Sequence, residues 1–276
     1  MVLHALLTAT PQGPVIAESQ SQQDAESLAE TTTVQAALQN CGSGQAVELA
    51  LGPENHSAFL LNPITLPPGV SLIIDGGVTV YATRTPANYQ VAGSEYICGT
   101  TKVGNPVNGE CQAFITLAEN SGIYGYGILD GQGSQPLFIE PQTTPPTTWW
   151  SLITDKKGCS GCQEESPLMI SAGNIKGKRS TNSNFAFYKF TIRNPQYHIV
   201  DLGGTNHTVW GVKIQAPWIV PNTDGFDVHA SNVTIYDTVV ANGDQEIAFS
   251  ATPTVATQKL PSTAFTATAR AASRFS

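Results

Sequence analysis

The stretch His198-Ile-Val-Asp-Leu202 is followed by two related strings, Asp224-Gly-Phe-Asp-Val228 and Gln245-Glu-Ile-Ala-Phe249. The three strings start 26 and 21 residues apart. This interval is too short for a helical crossover between strands, but it lies in the range of stacked structural repeats. The strings therefore predict a solenoid in which each strand pairs with the next coil at a distance of about 4.8 Å.

A second repeat supports the same prediction. Four segments combine an Asn- or Ser-led turn with a large apolar residue and another apolar residue five positions later. They comprise Asn120, Ile123 and Ile128; Asn184, Phe187 and Ile192; Asn206, Val209 and Ile214; and Ser231, Ile235 and Val240. The first apolar residues are 64, 22 and 26 residues apart, and 64 is close to three strides. The pattern predicts a parallel β-helix, with a β-sandwich of unrelated hairpins as the alternative.

Composition limits the class of protein and its partners. The 276 residues carry 13 Lys and Arg against 21 Asp and Glu, a formal net charge of −8. Charged residues make up only 12% of the chain, which argues against coiled coils, while 25 Gly and 18 Pro favour an all-β chain with frequent turns. The acidic balance argues against nucleic acid and anionic membranes as partners. We expect a monomer.

The local pattern predicts three parts of the chain. Residues 1–30 are polar and without a period, and we expect a leader or a loose N-terminal segment there. The three threonines at 31–33 are predicted to cap a short helix over 34–40. Four short apolar runs then predict strands over 47–51, 59–61, 71–75 and 78–82. The β-helix is expected to occupy residues 31–250, followed by an aberrant tail over 251–276.

The five cysteines, at positions 41, 98, 111, 159 and 162, leave at least one thiol unpaired within the chain. Cys98 with Cys111 would close one loop, and Cys159 with Cys162 a very short one. Disulfides would indicate an oxidising compartment, and a set of buried thiols is the alternative. The stretch 141–162 breaks the repeat and is predicted to be a loop that projects from one coil.

Two carboxylates are placed together by the repeat. Asp224 and Asp244 are 20 residues apart, close to one stride, so they should lie on adjacent coils at nearly the same angular position. Two converging carboxyl groups form the minimal apparatus for glycoside hydrolysis, with one as proton donor and the other as base or nucleophile. Each aspartate stands beside glycine, so an ordinary turn is the alternative for both.

The motifs resemble those of the polygalacturonase family of pectin-degrading glycoside hydrolases. The resemblance rests on Asn222-Thr-Asp-Gly-Phe-Asp227, on Asn242-Gly-Asp244 about twenty residues later, and on Gly125-Tyr-Gly-Ile-Leu-Asp-Gly-Gln-Gly133 upstream. It covers about residues 31–250. It implies a right-handed, single-stranded parallel β-helix that is secreted, needs no cofactor or metal, and hydrolyses α-1,4-galacturonosyl bonds of pectin or a related acidic polysaccharide with inversion.

The resemblance also implies site residues. Asp224 matches the aspartate that helps to activate water, and Asp244 matches the general acid. Asn222 and Asp227 match positions that line the cleft. Gln245 stands where a second aspartate is expected, and an amide can hydrogen-bond water but cannot accept its proton. We assign Asn222, Asp227 and Gln245 to substrate binding.

The sequence also departs from the family pattern. Neither Gly-His-Gly nor Arg-x-Lys follows Asp244, so the cationic side chains that would bind the substrate carboxylate are missing. Lys213 is the one substitute we considered. Residues 251–276 contain 7 Ala and 6 Thr but no Gly. We therefore expect a chain that is truncated or frame-shifted at its C-terminus, with little or no hydrolysis of polygalacturonate. A non-catalytic carbohydrate-binding or adhesion-type β-helix is the main alternative, and a calcium-dependent pectate lyase is a third.

Overall fold

The computed structural model describes residues 1–14, 20–94, 97–103, 111–139, 144–154, 162–164, 166–175, 178–179, 183–249 and 265–267. Most strands within these ranges belong to three parallel sheets. None of the helices in this part of the chain is both long and apolar enough to span a bilayer.

The three sheets run along the length of the molecule. The first contains Val2–His4, Ala46–Ala50, Ser71–Ile74, Gly122–Gly125, Ala186–Tyr188, Thr205–Trp210 and Ser231–Tyr236. The second contains Ile64–Leu66, Ile115–Leu117, Ile170–Ala172, Val200–Leu202, Phe226–Val228 and Ile247–Phe249. The third contains Ala58–Leu61, Thr79–Ala82, Ile128–Asp130, Thr191–Arg193, Lys213–Gln215, Thr238–Ala241 and Phe265–Ala267.

The remaining elements are short strand pairs and helices. Three antiparallel pairs join Ala9–Thr10 to Gly13–Pro14, Thr101–Val103 to Cys162–Glu164, and Asn174–Ile175 to Lys178–Arg179. The α-helices within the described ranges are Gln20–Asn40 and Trp149–Thr154, and the 3₁₀ turns there are Pro53–Asn55 and Pro86–Tyr89.

Each coil visits the first, third and second sheets in turn, as in Thr205–Trp210, Lys213–Gln215 and Phe226–Val228. Within the described ranges, each strand of these three sheets pairs in parallel with the equivalent strand of the neighbouring coil. The chain is therefore a right-handed parallel β-helix, as predicted. The four strands predicted between residues 47 and 82 are present with ends shifted by at most one residue.

The registers confirm one repeat and correct the other. Val200 pairs with Phe226 and Phe226 with Ile247, so the strings that begin at 198, 224 and 245 are stacked as predicted. In the other repeat Ile192 pairs with Leu129, so the assignment of Ile128 was wrong by one residue. Both side chains are apolar at 128 and 129, and only the pleat decides which of the two points inward.

The core is a set of rows in which equivalent side chains stack from coil to coil. One row on the first sheet contains Val47, Leu72, Ile123, Phe187, Val209 and Ile235. All six are buried. Because successive residues of a strand point to opposite faces, a two-residue period at a constant stride is enough to build such rows.

A ladder of asparagine side chains stabilises one bend of the coils. Nδ2 of Asn184 donates to Oδ1 of Asn120 at 2.8 Å, Asn206 to Asn184 at 3.2 Å, and Asn232 to Asn206 at 2.6 Å. All four residues have positive φ, between 54° and 64°, a conformation that asparagine tolerates better than most residues. The fourth member is Asn232, so the prediction of Ser231 for this position was wrong by one residue.

The ladder gives a test. Asn206→Ala is expected to lower the free energy of unfolding by about 1–2 kcal/mol, because it removes the two ladder hydrogen bonds and a longer one from Thr205, and strains a positive φ. Asn206→Gly loses the same hydrogen bonds but accepts the φ, so its loss should be smaller. Urea denaturation of both variants measures this, and a glycine variant less stable than the alanine variant would contradict the assigned role of φ.

The N-terminal segment differs from the loose one that the composition predicted. Strand Val2–His4 pairs with Glu48–Ala50 in the first sheet, and Ala5 is fully buried. The long helix Gln20–Asn40 packs on the next strands with Val34 and Leu38 in the core. This polar helix shields the core side chains of the strands on which it packs, as a terminal cap does in a solenoid.

The predicted N-cap of this helix was also wrong. The helix ends at Asn40 as expected, but it begins at Gln20, so the threonines 31–33 lie inside it. Their hydroxyl groups donate to the carbonyls of Ser27, Leu28 and Ala29, four residues earlier. Threonine satisfies its hydroxyl in this way within a helix, so a hydroxyl run does not always mark an end.

The cysteines and the long insertion are partly described. Cys98 and Cys111 form a disulfide, one of the two pairings considered, and Cys41 is a free thiol. Cys159 and the Cys162 side chain lie outside the described residues. Within the predicted loop 141–162, the helix Trp149–Thr154 packs inward and Trp149 is fully buried, so this part does not project. Of the predicted tail 251–276, only strand Phe265–Ala267 is described, and it pairs with Thr238–Val240.

Candidate functional site

The candidate site lies where the loops from the third sheet enter the second sheet. In three successive coils these loops are 194–199, 216–225 and 242–246. They supply His198, then Asn222 and Asp224, then Asp244 and Gln245. Asp201 and Asp227 are the middle residues of the following second-sheet strands and are in register with each other. Chain positions as far apart as 198 and 245 thus meet on one face of the β-helix.

The two predicted catalytic aspartates are on adjacent coils. The backbone N–H of Asn222 donates to Oδ2 of Asp244 at 3.0 Å, which ties Asp244 to the coil of Asp224. The register places Gln245 opposite Asp224, and Asp244 precedes it by one residue. Asp224 is buried with 6% of its surface exposed, whereas Asp244 and Gln245 are exposed.

The glycines beside both aspartates are required by the close approach of the coils. A Cβ added to Gly225 would lie 2.5 Å from the Glu246 carbonyl oxygen, and one added to Gly243 would lie 2.1 Å from that of Val220. Real Cβ atoms do not approach oxygen so closely, so both positions need glycine. The glycines explain the packing of the Asp224-Gly and Gly243-Asp pairs without deciding what the carboxylates do.

The remaining motif residues connect the two loops. Asn242 Nδ2 donates to the carbonyl oxygens of Thr223 and Gln245, both at 2.8 Å. The hydroxyl of the buried Thr223 accepts from Gly243 N–H at 3.0 Å and donates to Val220 O at 2.8 Å. The Asn-Thr-Asp and Asn-Gly-Asp strings therefore hold each other, and so hold Asp224 and Asp244, in fixed relative positions.

His198 is a site residue that the sequence analysis did not select. Its Nδ1 lies 2.7 Å from Asp227 Oδ2 and 3.5 Å from Asp224 Oδ2. A carboxylate only accepts, so Nδ1 carries the proton and donates to Asp227. The signal was present, because His198 occupies the same place in its string as Asp224 and Gln245 in theirs. The repeat was read for strands and not for the polar residues that precede them.

The acidic neighbours of His198 control its charge. Burial lowers the pKa of His198, but the hydrogen bond that it donates to Asp227 and the negative charges of Asp227, Asp224 and Asp201 together raise it above its ordinary value. The imidazole is therefore held in its protonated form more strongly than a free histidine. When protonated, it is the positive group of an otherwise acidic site.

The pKa of Asp224 is raised above that of an ordinary aspartate. Burial is the main cause, and it is opposed by the charge of His198 and reinforced by the charges of Asp227 and Asp244. A carboxylate with a raised pKa is a stronger base than an exposed one, and a nearby imidazolium favours its ionised form. Asp224 is thus tuned toward accepting a proton.

Asp201 and His229 extend the cluster along the second sheet. The Nε2 of His229 lies 3.8 Å from Oδ1 of Asp201, and Asp201 is mostly buried. Asp201 follows His198 by three residues, just as Asp227 follows Asp224. The second-sheet face therefore presents two successive coils with the same acidic position.

The cluster is a poor match for the calcium site that a pectate lyase would need. One ligand atom each from His198, Asp224 and Asp227 lies within 4.8 Å of the others. Calcium takes six to eight oxygen ligands, and a nitrogen that donates to one of the carboxylates is not among them. Asp244 does not belong to this group within the described part of the chain.

Lys213 is not brought to the site. It lies on strand Lys213–Gln215 of the third sheet, in register with Thr191 and Val239, and its side chain is exposed. The other cationic side chains whose surroundings the structure describes are Arg84, Lys189 and Arg193, and none of them is on a second-sheet strand. The hypothesis that Lys213 replaces the missing cationic residues is therefore wrong.

The raised pKa of His198 predicts a pH dependence of stability. The stabilisation that His198 gains from its acidic neighbours is complete below pH 6.5, the ordinary histidine value, and is lost as the pH rises through its raised folded pKa. We expect the excess stability of the wild type over His198→Gln, measured by urea denaturation, to fall across that range. If both proteins also carry Asp227→Asn, the decrease in this excess stability should be smaller. An excess stability of the wild type that grows with pH would contradict the role assigned to His198.

The fold and the carboxylates together define a class, β-helical proteins that carry the paired carboxyl groups of glycoside hydrolases. The family follows from a direct comparison. The model of the glycosyl hydrolases family 28 matches residues 41–260, about four fifths of the chain. The chain therefore belongs to that family, which confirms the resemblance inferred from the motifs.

Individual relatives agree with the family. The chain is 38% identical over 232 residues to an endo-polygalacturonase of Pectobacterium carotovorum subsp. carotovorum, covering 82% of this chain and 52% of that protein. It is 32% identical over 259 residues to a polygalacturonase of Ralstonia solanacearum, covering 82% and 46%. The chain thus spans about half the length of the curated relatives it matches.

Solved structures share the fold. A polygalacturonase from Erwinia carotovora ssp. carotovora superposes with a TM-score of 0.67 at 34% identity, over 80% of this chain and 55% of that one. A family 28 exopolygalacturonase of Yersinia enterocolitica superposes with a TM-score of 0.56 at 19% identity, over 80% and 42%. At that identity the second likeness concerns the fold alone.

Proposed function

We propose that the chain forms the catalytic face of a secreted enzyme that hydrolyses α-1,4-galacturonosyl bonds of pectin or a related acidic polysaccharide. The observation that carries the proposal is the attachment of Asp244 to the coil of Asp224 through the Asn222 N–H, in a chain of family 28. The names of the relatives supply the substrate class. The disulfide Cys98–Cys111 supports an extracellular location, since such bonds persist in oxidising compartments.

The proposed reaction is an inverting hydrolysis. Asp244 gives its proton to the glycosidic oxygen as the bond from that oxygen to the anomeric carbon breaks. A water molecule attacks the same carbon from the opposite side and transfers its proton to Asp224. The new bond forms on the face of the anomeric carbon opposite to the broken bond, so the configuration inverts. Asp244 donates one proton and Asp224 accepts another.

The neighbours of Asp224 suit the role of base. Burial raises the pKa of this carboxyl, which strengthens it as a proton acceptor, and the positive charge of a protonated His198 favours its ionised form. Gln245, in register with Asp224, can hydrogen-bond the attacking water but cannot take its proton. We assign Asn222 and Asp227 to the cleft wall, with Asp227 also orienting His198.

Substrate binding is the weak part of this site. A polygalacturonate chain carries one carboxylate per sugar, and the described second-sheet strands offer it acidic side chains and no lysine or arginine. Such like-charge contacts weaken binding. We therefore expect a higher KM, and so slower hydrolysis at low substrate concentration, than for the relatives named above.

The test is a hydrolysis assay on polygalacturonate with a large amount of protein and a long incubation. Reducing ends should appear, and proton NMR at early times should show the β anomer, since an α bond is opened with inversion. A chelator should leave the rate unchanged. An α anomer, an unsaturated product, loss of the rate in chelator, or no release of reducing ends would each overturn the proposal.

A further inference from the structure

A row of aromatic side chains lies on the outer face of the first sheet, away from the carboxylates on the second. Tyr124, Tyr188, Trp210 and Tyr236 occupy the same register position on four successive coils, and we call them the aromatic row. The ring centroids of Tyr188 and Trp210 are 4.9 Å apart, and those of Trp210 and Tyr236 are 6.3 Å apart. Trp210 is 41% exposed and Tyr236 is 46% exposed.

The row is accompanied by positive charge in a protein that is acidic overall. The Lys189 ammonium lies 5.3 Å from the Trp210 ring centroid and 5.9 Å from that of Tyr188. Lys189, one of the four cationic side chains whose surroundings are described, therefore lies beside the row, and the acidic side chain paired with it is Asp237, at 3.6 Å.

The spacing of the row suits a polymer of rings. Successive coils repeat at about 4.8 Å, close to the length of one hexose unit in an extended chain. The C–H face of a sugar ring packs on an aromatic ring as other apolar groups do, while its hydroxyl groups stay in water. Lysine beside the rings adds a partner for a carboxylate.

We propose that the aromatic row is a second polysaccharide-binding surface, and that its ligand is an acidic, carboxylated polysaccharide such as polygalacturonate. The rings and the Lys189 ammonium occur together on this face, whereas the second-sheet face has acidic side chains. The surface goes beyond the proposed hydrolysis and does not require it. It would hold the polymer on one side of the β-helix while the cleft on another side acts on it.

The test measures retention on insoluble polygalacturonate. All proteins carry Asp224→Asn, so that no cleavage occurs. The double variant Trp210→Ala/Tyr236→Ala should bind about tenfold more weakly, as expected when exposed aromatic anchors are truncated. Val239→Ala, which truncates an exposed apolar side chain on the third sheet, is the matched control and should bind normally. Equal retention of the double variant and this control would overturn the proposal.

Two further variants separate binding from folding. Trp210→Phe/Tyr236→Phe keeps both rings and should retain most of the binding, and Lys189→Gln should weaken binding to polygalacturonate but leave the melting temperature within a few degrees. If Lys189→Gln leaves binding to polygalacturonate unchanged, or if a neutral glucan retains the protein equally well, the proposal of an acidic ligand is wrong. If the wild type forms a dimer, and the alanine variant is monomeric but is retained equally well, the aromatic row is a contact between copies of the chain and the proposal is overturned.

Failure of this proposal and failure of the proposed hydrolysis give different results. With Asp224 intact, the Trp210→Ala/Tyr236→Ala variant should cleave a short galacturonate oligomer at the wild-type rate, because the row and the cleft lie on different sheets. A wild type that releases no reducing ends overturns the hydrolysis alone. Retention that does not change when the aromatic row is truncated overturns the proposed binding surface alone.

Discussion

Replacing Asp224 by asparagine is expected to lower the rate of polygalacturonate hydrolysis by at least about a hundredfold, the usual range for loss of a general base. Asparagine has nearly the same shape, but its amide cannot accept the proton of the attacking water. The loss should appear in kcat, because the substitution leaves the cleft shape intact. Release of reducing ends, measured at equal protein concentration for both proteins, is the assay.

The control for this variant is Asp237→Asn. It removes one negative charge from an exposed aspartate that pairs with Lys189 on another face, so it should keep nearly the full rate. Asp224→Asn should leave the β-helix folded, because the neighbouring glycines and Thr223 make the contacts between the coils. A melting temperature near that of the wild type, together with a rate above about a tenth of it, would remove Asp224 from the mechanism.

Replacing Phe187 by alanine is expected to lower the free energy of unfolding by about 3–5 kcal/mol, the range for a buried phenylalanine. Phe187 is 2% exposed, stacks between Ile123 and Val209, and its ring lies 6.2 Å from that of Phe190. Its removal leaves a cavity shared by three coils, which neighbouring side chains in a fixed parallel register cannot easily fill. Urea denaturation followed by circular dichroism measures the loss.

Thr208→Ala is the matched control for Phe187→Ala. Thr208 is exposed on the outer face of the strand that pairs with that of Phe187, so its truncation should change the free energy of unfolding by less than about 0.5 kcal/mol. Similar losses for the two variants would show that the core rows do not hold the coils together. A loss below about 1 kcal/mol for Phe187→Ala would lead to the same conclusion.

The fold could be predicted from the sequence because a solenoid repeats a local pattern. A stride of 21 to 26 residues, with apolar residues at alternate positions, specifies which strands pair without any information on distant contacts. The same stride placed Asp224 and Asp244 on adjacent coils. It did not fix register to the residue, because Ile128 and Leu129 are equally apolar and only pairing with Ile192 selects one of them.

The helix Gln20–Asn40 was underestimated for a related reason. Its sequence is largely polar, so most of it has no apolar period, and the core contacts come mainly from its last turns, at Val34 and Leu38. The apolar surface that it covers is formed by strands Ala46–Ala50, Ala58–Leu61 and Ile64–Leu66. That surface exists only after the coils have stacked, and no property of residues 20–33 announces it.

The sequence by itself determined the parallel β-helix, the stacking of the strings that begin at 198, 224 and 245, and the presence of two aspartates on neighbouring coils. It did so because stride and alternation are local quantities. Only the tertiary structure decided that His198 joins Asp224 and Asp227, that Lys213 stays on another sheet, and that the aromatic row is continuous. These depend on which side chains meet across coils and how deeply they are buried, and burial and neighbouring charge arise only from packing.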